Sequence, residues 1–248
     1  MLLKVLTYNV HRAIGVDRRF RPERIVEILA HHDADLALLQ EVDDGAPRSR
    51  ELDLARELAR EAGYPHVAAG YNVSLRKGRY GNALLSRWPL TMHRNIDLTV
   101  DDRKRRGCLH ARVGIEKAHH GVFELDVFNL HLGLSAKERT RQVGTLARSP
   151  EFAAVGKGAP CLIAGDFNDW RAQLLPIFVE ILGFKSATRD RFGTQAAIRT
   201  YPSFSPTGAL DKIYFRGPLH LVAARSCRLR VSRVASDHLP IVAEFELG

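Results

Sequence analysis

Residues Ile163 to Trp170, Ile-Ala-Gly-Asp-Phe-Asn-Asp-Trp, constrain this chain more than any other segment. The apolar run Pro160-Cys161-Leu162-Ile163-Ala164 stops at Gly165 and then delivers Asp166 and Asn168. It reads as a buried strand whose C-terminal end presents a carboxylate and a carboxamide. Residues two apart on an extended chain project to one side, so Asp166 and Asn168 are expected to point into one space. The first can accept a proton, and the second can donate hydrogen bonds to an oxyanion. A carboxylate at the end of a buried strand is costly unless it is paired or binds a cation.

Three further polar clusters border apolar runs. Asn9 follows Leu6-Thr7-Tyr8, Glu41 follows Leu38-Leu39-Gln40, and Asp237-His238 precede Leu239-Pro240-Ile241. Glu41 with Asn9 offers hard oxygen ligands of the kind magnesium prefers, most of its shell being left to water and substrate phosphate. The alternative is that Glu41 merely caps the segment that follows. Two histidines stand out of the eleven. His131 lies in Phe128-Asn129-Leu130-His131-Leu132, in register with alternating apolar residues. His238 follows Asp237 and comes within reach of Asp211 if their strands pair. A carboxylate beside an imidazole fixes its tautomer and stabilises its cation. His31, His32, His119 and His120 read as surface residues.

The intervening chain reads as many strands and few helices. Strands are expected at Leu2–Tyr8, Asp35–Leu39, His66–Ala69, Asn82–Ser86, Cys108–Ile115, Val122–Leu130, Cys161–Ala164, Lys212–Phe215, Leu219–Arg225 and Leu239–Phe245. Helices are expected from Pro22, over Ser49–Ala62, from the capping box Ser135-Ala136-Lys137-Glu138 to about Ala147, and near Leu174–Leu182. Residues 184–210 carry no clear period. Two halves share a plan, since residues 3–11 and 161–168 each run from an apolar strand into a polar pair. No linker or low-complexity tract divides the chain, so residues 1–248 are read as one domain. The fold class is α+β: two packed sheets with helices outside, a layered sandwich.

Composition narrows the setting. At 248 residues with 45% apolar content the chain can fill a large core, and no stretch approaches the roughly 20 apolar residues of a membrane span. Cys108, Cys161 and Cys227 have neither disulfide-frame nor zinc-site spacing. Without a signal-peptide pattern, this points to a reduced, cytoplasmic protein. Net charge is +9, with basic runs at Arg76–Arg79, Arg103–Arg106 and Arg225–Arg233. Such a balance favours polyanionic partners; the plain reading of each run is a solvated surface.

Seven motifs occur in an order that resembles the endonuclease/exonuclease/phosphatase superfamily. They are Thr7-Tyr8-Asn9-Val10, Leu39-Gln40-Glu41-Val42, Gly81-Asn82-Ala83-Leu84-Leu85-Ser86, Asn129-Leu130-His131-Leu132, Gly165-Asp166-Phe167-Asn168, Leu210-Asp211-Lys212-Ile213, and Ser236-Asp237-His238-Leu239-Pro240. The resemblance implies a four-layered α/β sandwich, deoxyribonuclease-like, with the site where strand ends converge. It implies a Mg2+-dependent phosphoester hydrolase, with Mn2+ as the alternative ion. Carried over by motif, Asn9 and Glu41 hold the metal, and Asp237 contacts its surroundings or binds a second ion. Asp166 orients or deprotonates the attacking water. Asn168, His131 and Asn82 contact or shape the phosphate, and His238, oriented by Asp211, stabilises the transition state or the leaving oxygen. This is phosphoryl transfer by positioning and charge neutralisation.

The motifs of apurinic endonucleases and of inositol phosphatases are missing, and the chain is similar to short, single-domain bacterial members. The expectation is a monomeric phosphodiesterase or nuclease. Its nucleic-acid form would use the basic runs as backbone contacts. The alternatives are a phospholipid or sphingomyelinase-like hydrolase, or a small-metabolite phosphatase, with Tyr201, Phe204 and Phe192 in a specificity loop touching a head group. A catalytically silent scaffold would have lost its acids and histidines, and none is lost here. His11 is set outside the core set.

Overall fold

The computed structural model describes residues 1–117, 121–188 and 197–248. In chain order it contains β1 (Leu2–Asn9), α1 (Pro22–His32), β2 (Leu36–Asp44), α2 (Leu54–Glu61), β3 (His66–Ser74), β4 (Arg79–Ser86), β5 (Leu90–Asp97), β6 (Gly107–Lys117) and β7 (Gly121–His131). Then follow α3 (Ala136–Arg148), α4 (Pro150–Ala153), β8 (Cys161–Asp166), β9 (Lys185–Ser186), β10 (Asp211–Arg216), β11 (Leu219–Ser226), α5 (Ser232–Ala235) and β12 (Ile241–Leu247).

These strands form two six-stranded sheets, ordered β11-β12-β1-β2-β4-β3 and β5-β6-β7-β8-β10-β9. Each has one parallel pair at its centre, β1 with β2 and β7 with β8, and antiparallel neighbours on both sides. The two halves therefore do share a plan, but β1 matches β7 in position, and β8 matches β2. The sequence comparison of residues 3–11 with 161–168 paired the wrong strands, because both end in polar residues.

Alternation sorts each strand between two cores. Leu3, Val5, Leu36, Leu38 and Leu84 of one sheet pack against Leu125, Val127, Leu162, Ala164 and Ile213 of the other. The opposite faces are covered by helices. Leu6, Leu39 and Leu85 meet Ile25, Ile28, Leu54 and Leu58 of α1 and α2. Phe128, Ile163 and Tyr214 meet Val143, Leu146 and Phe152 of α3 and α4. The result is helices, sheet, sheet, helices: the four-layered sandwich.

Several element boundaries move. α2 starts only at Leu54 because Asp53 caps it, accepting from Arg56 N at 3.1 Å; Pro47–Ser49 is a separate short turn. Ser135 caps α3 as its motif predicts. The helix expected near Leu174–Leu182 is a single π-helical turn, Ile177–Ile181. β5 was not expected: it is an edge strand whose His93, Arg94 and Asn95 are exposed, so little apolar period marks it. All three cysteines are buried and free. Among the described residues no helix is long and apolar enough to cross a membrane. The expected surface residues His119 and His120, and Phe192 of the loop, lie outside the described residues.

Candidate active site

At one end of the sandwich the inward faces of both sheets change from apolar to polar. Leu3 and Val5 lead to Thr7 and Asn9, Leu36 and Leu38 to Gln40, and Leu84 back to Asn82. In the other sheet Leu125 and Val127 lead to Asn129 and His131, Leu162 and Ala164 to Asp166, and Ile213 back to Asp211. All the polar residues of these series are buried. Register then sets neighbours. His131 pairs with Asp166 across the parallel β7–β8 ladder, and Asp211 pairs with Asp166 across β8–β10. Residues in register share a face, so three separate sequence motifs become one cluster.

An amide bridge braces its floor. Gln40 Nε2 donates to Asn129 Oδ1 at 2.7 Å, while Asn129 Nδ2 serves the carbonyls of Leu39 and Ala83 at 2.9 and 2.8 Å. These bonds tie the two sheets together where apolar packing ends.

Asp166 is the hub. Its Oδ2 accepts from Asn9 Nδ2 at 3.0 Å and lies 3.4 Å from His131 Nε2 and 3.7 Å from His238 Nε2. Its Oδ1 accepts from Asn168 N at 2.9 Å. His238 Nδ1 donates to Asp211 Oδ2 at 2.8 Å, and Thr200 Oγ1 donates to the same oxygen. Ser236 Oγ receives His238 N and donates to the Asn9 carbonyl, so β1 and the β12 approach are stitched together here.

The buried charges set the protonation states. Burial pushes the Asp166 carboxyl up to about 6, against the opposing pull of His238. Burial alone would make His238 neutral, but Asp211, Asp166 and Asp237 outweigh it and carry its pKa up to about 10. Burial drives His131 well below the usual imidazole range, and Arg106, His238, Lys104 and Arg12 act in the same direction. Near pH 7 the cluster therefore holds an ionised Asp166, an imidazolium at His238 and a neutral imidazole at His131.

Glu41 enters from the side. The strand does not end there as expected: β2 continues to Asp44 through an irregularity, with Leu39 opposite Ala83 but Val42 opposite Gly81. The extra residue is a bulge, and Glu41 sits in it at φ +56°. Bulges re-aim side chains, and here the carboxylate lines a recess with Asn82 and His131. Among the described residues its buried Oε2 accepts no hydrogen bond, and it lies 3.6 Å from Arg12 Nε. Asn9 Oδ1 accepts only the His11 amide, at 3.1 Å. Two hard oxygens with unused lone pairs fit a hard divalent cation.

Asp166, Asp211 and His238 also place three ligand atoms within 4.8 Å of one another. Within that group His238 Nδ1 and Asp211 Oδ2 already bond to each other at 2.8 Å.

The Endonuclease/Exonuclease/phosphatase family matches residues 6–238. The chain belongs to this family. It is 32% identical over 256 aligned positions to the uncharacterized protein YbhP of Escherichia coli strain K12, covering 98% of this chain and 96% of that protein. Solved structures share its fold. An endonuclease/exonuclease/phosphatase from Beutenbergia cavernae superposes with TM-score 0.79 at 21% identity, over 100% of this chain and 72% of that one. The mannosyl-6-phosphatase Bt3783 of Bacteroides thetaiotaomicron gives 0.76 at 20%, over 99% and 100%. TDP2 of D. rerio, complexed with single strand DNA product, gives 0.74 at 19%, over 99% of both chains. Family membership indicates a phosphoester hydrolase, and members typically use divalent metals.

As a member of this family the chain brings most of its expected site residues into contact. Asn9, His131, Asp166, Asn168, Asp211 and His238 are linked directly, and Glu41, Asn82 and His131 share one recess. Asn168 arrives differently from the expectation of simple alternation. β8 ends at Asp166, and Asn168 turns at φ +50° to donate its own Nδ2 to the Leu132 carbonyl at 2.9 Å. Asn82 Nδ2 is likewise held by the carbonyls of Gly107 and Asn129. Asp237 is half-buried and accepts from Ser236 Oγ at 3.3 Å, outside the three-atom group around Asp166. His11 turns its ring to the Ile14 carbonyl, within its own turn.

The basic runs divide. In the first, Lys77 pairs with Glu51 and Arg79 with Asp44 on the surface. The second faces the site through Arg105 and Arg106. Sequence reasoning missed Thr200, Ser236, Gln40 and Arg12, whose types carry no signal away from their partners. Tyr201 packs its ring 5.1 Å from His238 and 5.5 Å from the exposed Trp170, and Phe204 is exposed nearby in sequence.

Proposed function

We propose that residues 1–248 act as one catalytic unit, a divalent-metal-dependent phosphodiesterase, with nucleic acid or a smaller diester as substrate. The observation that carries this reading is the Asp166 hub: a carboxylate with its pKa near 6, flanked by an imidazolium that Asp211 holds in place. Asn9 and Glu41 would hold Mg2+ or Mn2+, with Asp237 nearby; bound there, the metal neutralises phosphate charge.

The chain's own groups divide the remaining work. Ionised Asp166 accepts a hydrogen bond from the attacking water at Oδ2, the oxygen that Asn9 holds at 3.0 Å, and takes its proton. The water attacks phosphorus in line with the leaving oxygen. His238 Nε2–H faces the same pocket and stabilises the charge that grows on phosphoryl or leaving oxygens. Asp211 positions that imidazolium. Neutral His131 donates a hydrogen bond without adding charge, and Asn168 and Asn82 shape the phosphate seat.

The test is hydrolysis of bis(p-nitrophenyl) phosphate, p-nitrophenyl phosphate, plasmid DNA, RNA and sphingomyelin, with magnesium or manganese against EDTA. Diester cleavage that needs metal and falls at least about 10²-fold in Asp166→Asn supports the reading. Activity confined to the monoester or to sphingomyelin would replace it with the phosphatase or lipid reading. Full activity in Asp166→Asn would remove Asp166 from the base role.

A further inference from the structure

Among the described residues Arg106 has no counter-ion. It stands immediately before β6 and is only 6% exposed, yet among the described residues its guanidinium makes no hydrogen bond or ion pair, and its Nε is fully covered. The nearest candidate of opposite sign in its recess is Glu41, and that carboxylate lies beside Arg12 instead. Covering the Nε–H of a guanidinium without a partner costs about 1–3 kcal/mol, so the position needs a reason.

The backbone holds Arg106 firmly in place. Its amide donates to Thr99 Oγ1, and its carbonyl receives Leu98 N at 2.9 Å. The next residue, Gly107, lets Asn72 approach so closely that a Cβ there would lie 2.0 Å from the Asn72 amide oxygen. Arg106 lines the recess formed with Glu41, Asn72, Tyr80, Asn82 and His131. Lys104 adds a second positive charge over the Tyr80 ring, 5.6 Å from its centre, and Arg105 lines the same recess. The recess adjoins the hydrolytic centre: His131 belongs to both, and Glu41 and Asn82, proposed above for the metal and the phosphate seat, form its inner wall. Asp166, Asn168, Asp211 and His238 do not line it.

We propose that Arg106 is the anion-binding residue of a subsite beside the hydrolytic centre, which takes a phosphate group of the substrate other than the one being cleaved. The proposal rests on the hydrolase reading above, since only a reacting phosphate at Asp166 makes this one its neighbour. A charge-assisted, bidentate contact from Arg106 to such a phosphate supplies the pairing that the fold withholds. The same chemistry serves the next phosphate of a polynucleotide or the terminal phosphate of a small phosphorylated diester.

Calorimetry with inorganic phosphate, on chelator-treated protein, reads the subsite without turnover. Wild type should bind, and Arg106→Gln should bind at least about tenfold more weakly, as loss of a charged hydrogen bond predicts. Undetectable binding to wild type, or equal binding by Arg106→Gln, would overturn the subsite. Failure of the hydrolase reading shows separately, as full activity in Asp166→Asn.

Kinetics then identify the neighbour. Arg106→Gln should lose at least about tenfold more kcat/KM on TpTpT than on TpT if the source is a polynucleotide, or on pTpT than on TpT if it is the terminal phosphate of a small diester. Equal losses within both pairs would place Arg106 on the cleaved phosphate and refute the proposal. Arg106→Met should melt at or above the wild-type temperature, because an unpaired buried charge is removed. A fall of several degrees would make the residue structural.

Discussion

Replacing Asp211 with asparagine isolates the charge that holds the His238 proton. The shape is kept, because the amide oxygen takes the place of Oδ2, which now accepts from His238 Nδ1 at 2.8 Å and from Thr200. Only the charge leaves. His238 stands at about 10, and Asp211 is the largest of the groups that raise it. An opposite charge in contact is worth about one to three pKa units, so the variant should titrate near about 8. At pH 9 the imidazolium fraction then falls from about nine-tenths to about one-tenth. The alkaline limb of the rate profile should move by about two units, with an extra loss of about tenfold at pH 9 relative to neutral pH.

Stability follows with a definite sign. The folded-state pKa of His238 lies above its unfolded value of about 6.5, so its contribution is complete below that pH and is lost as pH rises through the folded value. A two-unit drop removes about 3 kcal/mol of this contribution near pH 7, before any gain from no longer burying the Asp211 charge. The assay is nitrophenol release from bis(p-nitrophenyl) phosphate between pH 5 and 9.5, paired with 15N shifts of the His238 ring in chelator-treated protein. Coincident ring titrations in wild type and Asp211→Asn would refute the assignment of the proton to this pair.

Other expectations are more local. The acid limb of the wild-type profile should fall near pH 6, where Asp166 protonates, and should vanish in Asp166→Asn; a limb that persists there belongs to another group. Glu41→Gln should raise the metal concentration for half-maximal rate by about tenfold or more, and an unchanged requirement would remove Glu41 from the ligand set. Gly165 lies at φ +143°, and a Cβ there would meet the Leu130 carbonyl oxygen at 1.9 Å. Gly165→Ala should therefore cost about 4 kcal/mol or more, read as a melting temperature lower by about 10 °C. Asn129→Leu strips partners from Gln40 and from the Leu39 and Ala83 carbonyls. It should destabilise by about 2–4 kcal/mol in urea melts, and a smaller effect would mean that water replaces the bridge.

Short-range chemistry was legible in the sequence. Apolar runs marked most strands, Ser135 and Pro22 marked helix starts, and the polar residues closing those runs marked where chemistry would gather. What failed was local geometry that depends on a partner. β5 shows little period because only one edge of it is paired and most of its side chains are exposed. The expected helix over Ser49–Ala62 shortened because Asp53, not Ser49, satisfies its first amides. Asn168 reached its place through a turn that alternation does not describe.

The sequence by itself determined the family, the residue types of the site and the layered architecture, because strand period and motif order are properties of the chain alone. Tertiary structure decided which of those residues meet. Ladder register set His131 and Asp211 on either side of Asp166, and a bulge turned Glu41 toward Asn82. Burial disfavours the cation at both His131 and His238, and the carboxylates of Asp211, Asp166 and Asp237 around His238 alone separate the protonation states of these two histidines. Arg106, one of four residues in a basic run, came to lie against the site with its covered Nε unpartnered among the described residues. Pairing, desolvation and Coulomb energy depend on distances between residues far apart in the chain, and only the packed sheets fix those distances.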